Sequence, residues 1–191
     1  MIILPQPGSY LAAFEILTLD YRRLLEFVEP TDANASAFSH RSYELFLRVC
    51  TEFESACKEA LLVRGSTKNP GKMRIDDYKS LESDLNLEAR EVGVLTWRPN
   101  IKYVHPFDGW TTSQPPVAWY SSYNRVKHNR HTEFAAANLM NLTLGMAGLF
   151  LTLAALDVIR HGIAPGVAER VAKGGQARER VYPGHIFTIV C

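Results

Sequence analysis

The amino-acid sequence predicts a mainly α-helical protein, an antiparallel helical bundle with a small β-hairpin or loop insertion around residues 92–112. Two long segments near the N-terminus place apolar residues at three- and four-residue intervals, as on the buried face of a helix. A later segment is apolar on all sides, as in the central helix of a bundle. Between these segments, residues 92–110 mix β-branched and aromatic residues with prolines, which favours a short hairpin or an ordered loop.

The length and composition are those of one globular domain. The chain has 191 residues, of which 47% are apolar and 21% charged, enough for one substantial core. We expect a single domain over residues 1–191, with its core at about 10–160 and an irregular C-terminal tail at 162–191. Lys and Arg number 21 against 20 Asp and Glu, so contact with nucleic acid would depend on a local basic patch.

Cysteine usage and the N-terminus favour a cytoplasmic protein. Cys50 and Cys57 fall on the buried side of a helical pattern, and Cys191 leaves an odd count without zinc-ligand spacing. The first ten residues lack the basic region and the long apolar run of a signal peptide. We therefore expect a cytoplasmic protein. The cysteine spacing predicts no metal site, and we expect no metal and no cofactor.

The first helix is predicted over residues 9–29, because Ser9 can cap free N–H groups and Pro30 prevents continuation. The second is predicted from the cap Ser39 to about Val63, and Gly65 ends it. The loop that follows precedes a short helix over residues 75–85, in which the opening pair Asp76 and Asp77 suits the helix dipole rather than acid–base catalysis.

A further helix is predicted to start at Pro115 and Pro116. The sequence leaves open whether it continues through His161 or whether two helices meet near Asn129. In the tail, we expect a short helix at 167–173 and a docked strand in the last residues.

Residues 134–156 form a run of 23 residues without a charge, which is long enough to cross a bilayer. Asn138 and Asn141 would, however, need hydrogen-bond partners in lipid. We interpret the run as the central helix of the bundle, with no membrane contact, and a membrane span is the alternative. Gly145 and Gly148 would allow neighbouring helices to approach closely.

The candidate site is the segment "WYSSYNRVKHNRHTEF", residues 119–134, directly before this run. If the segment is one helix, Asn124, His128 and His131 share a face, because they stand at i, i+4 and i+7. Lys127 and Arg130 flank that face. Imidazoles beside fixed cations are suited to accept a proton as general bases.

Aromatic residues precede the charges, and Tyr120 and Tyr123 could stack on RNA bases while Lys127 and Arg130 bind phosphates. The alternative is a solvated helix face that borders the core. His105 and Asp108 in the insertion could join the site or be structural. Glu52 and Glu54 are expected to be exposed.

The sequences "YNRVKHNR" and "FAAANLMNLTLGMAGLFLTLAAL", behind an antiparallel helix pair, resemble bacterial branches of the HEPN superfamily (higher eukaryotes and prokaryotes nucleotide-binding domains). Members are helical bundles and often homodimers. Many are metal-independent ribonucleases of toxin–antitoxin and phage-defence systems. Their signature is an arginine, usually a polar residue next to it, and a histidine after four to six positions, on the helix that lines the dimer cleft.

Two registers of this signature compete. In one, Asn124 and His128 match the polar residue and the histidine, and Tyr123 stands in the arginine position. In the other, Arg125 and His131 match the catalytic pair, and Val126 replaces the polar residue. The first preserves more of the pattern, and the second preserves the pair that cleavage needs.

The resemblance implies an endoribonuclease in which His128 or His131 is the base and Asn124 orients the substrate. Three cations would stabilise the phosphate: Arg125, Lys127 and Arg130. It also implies a homodimer, RNA as ligand, an antitoxin or other inhibitor protein as partner, and products with a 2′,3′-cyclic phosphate. The alternative is a non-catalytic HEPN-like module that dimerises or binds a nucleotide or a partner protein.

Overall fold

A computed structural model describes residues 2–112, 117–156, 168–171, 178–181 and 186–190. It confirms the mainly α-helical fold class with a small β insertion. The helices of this part are α1 (Pro7–Leu25), α2 (His40–Val63), α3 (Ile75–Tyr78), α4 (Glu82–Leu85), α5 (Ala118–His128), α6 (Arg130–Glu133) and α7 (Leu139–Ala155). The predicted start at Pro115 and Pro116 lies outside the described residues.

Helix α1 begins and ends earlier than predicted. It starts at Pro7, which has no N–H to leave unpaired in a first helical turn, and Ser9 lies inside the helix instead of capping it. Regular helix ends at Leu25, four residues before the predicted end. A turn at Glu26 and Phe27 then leads to Pro30, which is buried.

Helix α2 confirms its predicted bounds. The Ser39 hydroxyl accepts a hydrogen bond from the Ser42 N–H, and the Ser42 hydroxyl accepts one from the Ser39 N–H. This reciprocal cap fixes the first turn of the helix. Gly65 follows the last turn with φ +97°, a conformation that glycine adopts without steric cost.

The apolar run forms α7, which is buried along nearly its whole length against α1, α2 and α5. A Cβ on Gly145 would lie 3.3 Å from the Phe46 ring of α2, so the close helix approach predicted from glycine is confirmed. Asn138 accepts a hydrogen bond from the Asn141 N–H and caps α7. In the described part of the chain, no helix combines the length and apolarity that a bilayer crossing requires.

The predicted insertion is a hairpin of β1 (Glu91–Val94) and β2 (Lys102–Val104). It belongs to an antiparallel sheet of five strands in the order β2-β1-β5-β4-β3, with β3 (Ala168–Val171), β4 (Arg178–Val181) and β5 (Phe187–Val190). The docked terminal strand is therefore confirmed. Gly93 of β1 crosses β5 closely, since a Cβ there would lie 2.6 Å from Thr188 Cγ2.

The helix predicted at 167–173 is wrong, because residues 168–171 form β3, which pairs with β4. The described parts of the tail thus form strands, where we expected an irregular tail. β5 also joins the sheet to the bundle, because the Phe187 ring centroid lies 5.6 Å from that of Phe150 on α7. Pairing between distant segments decides strand formation here, and local sequence preference does not.

Candidate nucleic-acid interface

The candidate segment is divided by a break between two helices. Helix α5 ends at His128, Asn129 has the non-helical angles φ −130° and ψ 49°, and α6 begins at Arg130. The prediction that Asn124, His128 and His131 share a helix face is therefore wrong. The helical repeat that would align them stops at Asn129, before His131 is reached.

The aromatic residues at the start of the segment lie in the core. Trp119, Tyr120 and Tyr123 are all buried, and Trp119 Nε1 donates a 2.7 Å hydrogen bond to the Pro106 carbonyl of the insertion. Burial raises the pKa of the Tyr120 and Tyr123 hydroxyls. The predicted stacking of RNA bases on these two tyrosines is therefore contradicted, since their faces are packed against protein.

Tyr120 is held by a carboxylate that the sequence placed on the surface. Its hydroxyl donates a 2.7 Å hydrogen bond to Glu54 Oε1 on α2, and Glu54 Oε2 lies 3.4 Å from Lys58 Nζ. The Glu54 side chain is only 15% exposed. The prediction of an exposed Glu54 was wrong because the residue faces α5 and pairs with both groups.

Lys127 is an exposed cation with a fixed position. Its Nζ donates a 3.1 Å hydrogen bond to the Tyr123 hydroxyl and lies 5.0 Å from the centroid of that ring. The hydrogen bond from Lys127 to Tyr123 raises the pKa of the lysine. Tyr123 thus holds the side chain of Lys127, a phosphate-binding candidate, in place, although the tyrosine itself is too buried to contact a base.

Arg125 is exposed but is paired with groups of its own chain. Its Nη1 lies 3.3 Å from Glu133 Oε2 on α6, and its Nη2 donates a hydrogen bond to the Ser122 hydroxyl. Asn124 is partly buried beside it. In the second signature register, Arg125 would be the catalytic cation. The carboxylate of Glu133 offsets part of the positive charge that this role requires.

His128 and His131 are both exposed. Within the residues that the structure describes, neither imidazole has a hydrogen-bond partner to orient it. The Arg125–Glu133 contact joins the two short helices that carry the histidines, but it does not bring a third group to either ring.

Arg130 is the centre of a cation–aromatic group that joins α6 to α2. Its Nη2 donates to His40 Nδ1 at 3.3 Å, and its guanidinium carbon lies 5.0 Å from the Tyr43 ring centroid and 5.6 Å from that of Phe134. A guanidinium over aromatic faces gains from their quadrupoles. We call His40, Tyr43, Arg130 and Phe134 the Arg130 cluster.

Main-chain hydrogen bonds hold the two parts of the cluster together. The chain before α2 pairs with the start of α7, where the Leu139 N–H donates to the Ala37 carbonyl at 2.8 Å and the Met140 N–H to the Ala35 carbonyl at 2.9 Å. His40 and Tyr43 lie one turn apart on α2, next to this junction. The cluster is therefore positioned by backbone as well as by side chains.

An exposed aromatic ring borders the cluster. Phe38 is 52% exposed, and its ring meets Phe134 edge-on at 5.8 Å. The sequence prediction missed Phe38, His40 and Tyr43, since 90 positions separate His40 from Arg130. The available signal was an aromatic residue, Phe38, directly before a helix cap, where nothing in the local pattern required it.

Several other candidates have structural roles. His105 Nε2 lies 3.3 Å from Glu91 Oε1 on the hairpin. Asp77 accepts a hydrogen bond from the Arg74 N–H, and contact with Lys68 lowers the pKa of its carboxyl, which confirms its role at a helix start. Cys50 and Cys57 are buried as predicted, and burial raises the pKa of both thiols.

The assembled surface offers fixed cations, two free imidazole edges and one exposed aromatic ring. Among the described residues, no three histidine, cysteine or carboxylate side chains are grouped closely enough to bind a metal ion. Comparison of the chain with protein-family models, with curated proteins and with solved structures finds no match.

Proposed function

We propose that the protein is an RNA-binding domain of HEPN type that contacts single-stranded RNA at the Arg130 cluster and the neighbouring residues 127–131. The observation that supports this most is the guanidinium of Arg130, held against Tyr43 and Phe134 on the surface beside further exposed cations. An arginine that is already ordered loses less conformational entropy when it binds a ligand.

The groups at this surface suit the two parts of a nucleotide. Arg130 and Lys127 provide N–H donors for phosphate oxygens, and the exposed ring of Phe38 provides a face for a base. Single-stranded nucleic acids are bound in this way, by cations along the backbone and by aromatic rings between them. Because the whole chain is nearly neutral, affinity would come from this local patch.

Metal-independent cleavage is the second candidate, and the exposed imidazoles of His128 and His131 favour it. One imidazole would accept the proton of a ribose 2′-hydroxyl as its oxygen attacks phosphorus. The resulting imidazolium would return a proton to the 5′-oxygen as its bond to phosphorus breaks, and a 2′,3′-cyclic phosphate would remain. The pairing of Arg125 with Glu133 instead favours binding without cleavage.

On the basis of the resemblance, the proposal includes a homodimer and, as for toxin-like members, an inhibitor protein as partner. Both are properties of the superfamily. The proposal for the Arg130 cluster does not depend on either, because the cluster is complete within one chain.

Fluorescence anisotropy of a labelled single-stranded RNA tests binding. We expect Arg130→Ala to weaken binding about tenfold at low salt and to reduce the salt dependence by about one phosphate contact. Lys72→Ala is the matched control: Lys72 is an exposed cation two residues after Pro70, which lies beside the C-terminal turns of α2, whereas Arg130 contacts the first turn of this helix of 24 residues, about 36 Å long. Equal effects of the two changes would reject the site.

Incubation of the wild type with RNA in EDTA tests cleavage. A cyclic-phosphate product that His128→Ala or His131→Ala abolishes would identify the base. Cleavage that survives both substitutions would reject these histidines. Binding without cleavage would assign the chain to the non-catalytic class.

A further inference from the structure

One face of the C-terminal half of α2 changes from polar to apolar along the helix. Glu59 stands four positions after Ser55 on this face. Leu62 and Val63 follow Glu59 by three and four positions, so their side chains lie next to it. Leu62 is 44% exposed and Val63 is 43% exposed. The core therefore leaves a large part of both apolar side chains in solvent.

This face forms one wall of a groove of about 570 Å³, a volume within the range of small-molecule sites. The rest of the lining comes from the chain before α1, from α1, from α2 and from the loop after α2: Pro5, Tyr10, Lys58 and Pro70. The groove thus combines apolar walls with a small number of polar groups, as ligand sites do.

A tyrosine holds the carboxylate in this groove. The Tyr10 hydroxyl donates a hydrogen bond to Glu59 Oε2, and it lies 3.4 Å from Ser55 Oγ. Burial and the bond to Glu59 raise the pKa of Tyr10 to about 12, so the hydroxyl remains a donor at neutral pH. The other carboxylate oxygen, Glu59 Oε1, has no hydrogen-bond donor among the described residues and can accept one from a ligand.

The charges at this end of the groove favour a cation. Lys58 lines the groove, but its Nζ lies 3.4 Å from Glu54 Oε2, and it forms no ion pair with Glu59. A second carboxylate, that of Glu52, adds to the negative potential at the Tyr10 hydroxyl. The polar end of the groove therefore complements a positive charge, and a negative charge would be repelled there.

We propose that the groove binds a small organic ammonium ion, a protonated primary amine with a short alkyl or aryl body. The ammonium group donates to Glu59 Oε1 and to the Ser55 hydroxyl, and the apolar body lies on Leu62 and Val63. Four helical residues separate Glu59 from Val63, about 6 Å along the axis, a length that phenethylammonium spans from its nitrogen to its ring. The Arg130 cluster contacts the first turn of α2 instead, so this site does not rest on RNA binding.

Titration of the full chain with phenethylammonium, followed by NMR chemical shifts, tests the proposal. We expect a dissociation constant on the order of 1 mM, with shifts at Tyr10, Ser55 and Leu62. Glu59→Gln keeps an acceptor for the Tyr10 hydroxyl but removes the charge, so it should weaken binding about tenfold. Circular dichroism checks that the variant is folded.

Glu44→Gln is the matched control, because Glu44 is an exposed carboxylate near the start of the same helix. This variant should bind the ammonium ion as the wild type does. A wild type that does not bind, or a folded Glu59→Gln variant that binds as tightly as the wild type, would overturn the proposal.

Three analogues separate the charge from the apolar body. Phenethyl alcohol keeps the ring without the charge and should bind about tenfold more weakly. Phenylpropionate should not bind, because its carboxylate would meet Glu59. The N-trimethyl derivative keeps the charge but has no N–H to donate, so it should bind more weakly than the primary amine. Equal affinity for the alcohol or for the trimethyl derivative would reject an ammonium site at Glu59.

Discussion

The two halves of residues 119–134 use similar residue types for different purposes. Before the break at Asn129, aromatic side chains are buried, and their polar atoms bond to protein groups such as the Glu54 carboxylate. After the break, Arg130 and His131 are exposed, and the guanidinium of the arginine lies over the rings of Tyr43 on α2 and of Phe134. The aromatic residues of the first half are therefore part of the core, whereas Lys127 and His128 at its end and the residues after the break form a surface.

This difference comes from neighbours that are distant in sequence. Trp119 meets the insertion through Pro106, and Tyr120 meets α2 through Glu54. Arg130 meets the first turn of α2 instead, next to the solvent-exposed Phe38. Substitutions of the buried aromatic residues should thus change stability, and substitutions of the exposed residues 127–131 should change binding.

The largest expected effect is that of Trp119→Ala. The indole is buried, packs edge-on against Phe53 at 5.2 Å and donates a hydrogen bond to Pro106. Its removal leaves a cavity and an unpaired carbonyl, so we expect the free energy of unfolding to fall by about 3–5 kcal/mol. Urea denaturation measures this change.

His131→Ala is the matched change in the exposed half. It should alter the free energy of unfolding by less than about 0.5 kcal/mol, as is usual at exposed positions. Similar losses for Trp119→Ala and His131→Ala would contradict the division of the segment into core and surface.

Gly148→Ala should lower the stability by less than Trp119→Ala, because it adds a methyl group next to the Trp119 indole. A Cβ on Gly148 of α7 would lie 3.0 Å from Trp119 Cζ2. The ring cannot retreat, since it is buried and hydrogen-bonded, so Gly148→Ala should cost about 1–2 kcal/mol despite the better helix propensity of alanine. Thermal unfolding beside Gly8→Ala provides the comparison.

Gly8 lies in the first turn of α1, where an added Cβ meets nothing within 4 Å. Gly8→Ala should therefore leave the melting temperature unchanged or raise it slightly. If both alanine variants raised the melting temperature, the close contact between α7 and α5 would be refuted.

Local signals predicted the parts of the fold that depend on local physics. The Ser39 cap, the end of α2 and the close approach at Gly145 follow from short-range sequence patterns, and the structure confirms them. The helix expected at 167–173 failed because β3 depends on pairing with β4. Long-range pairing leaves no local signal of this kind.

The candidate site was predicted only in part. Its cations lie on the surface as expected, but the alignment of Asn124 with His131 assumed a continuous helix through Asn129. Tyr120 was assigned to the surface because its carboxylate partner lies 66 positions away. A single sequence shows which polar groups are present, and the fold decides which of them meet.

Tyr120→Phe should lower the free energy of unfolding by about 1 kcal/mol at neutral pH, because Glu54 loses a hydrogen-bond donor. Burial raises the pKa of the Tyr120 hydroxyl above its ordinary value of 10. The unfolded chain then loses this proton at a lower pH than the folded protein, so stability should fall as the pH rises above about 10. Denaturation across pH 8 to 11 measures the slope.

The phenylalanine variant should lose stability less steeply above pH 10, because it lacks this proton. Equal slopes for Tyr120→Phe and the wild type would show that Tyr120 is not buried in solution.

The smallest expected effect separates charge from packing in the exposed half. Glu133→Gln removes the carboxylate beside Arg125, and the pair is exposed enough that stability should change by less than about 1 kcal/mol. Without the carboxylate, the charge of the Arg125 guanidinium is no longer offset, so the net charge next to Lys127 and His128 rises by one. RNA should then bind about two- to threefold more tightly at low salt, and the gain should vanish at high salt because screening removes it. A gain that persists at high salt would mean that Glu133 restricts access to the surface sterically, whereas no gain at low salt would place Arg125 outside the RNA path.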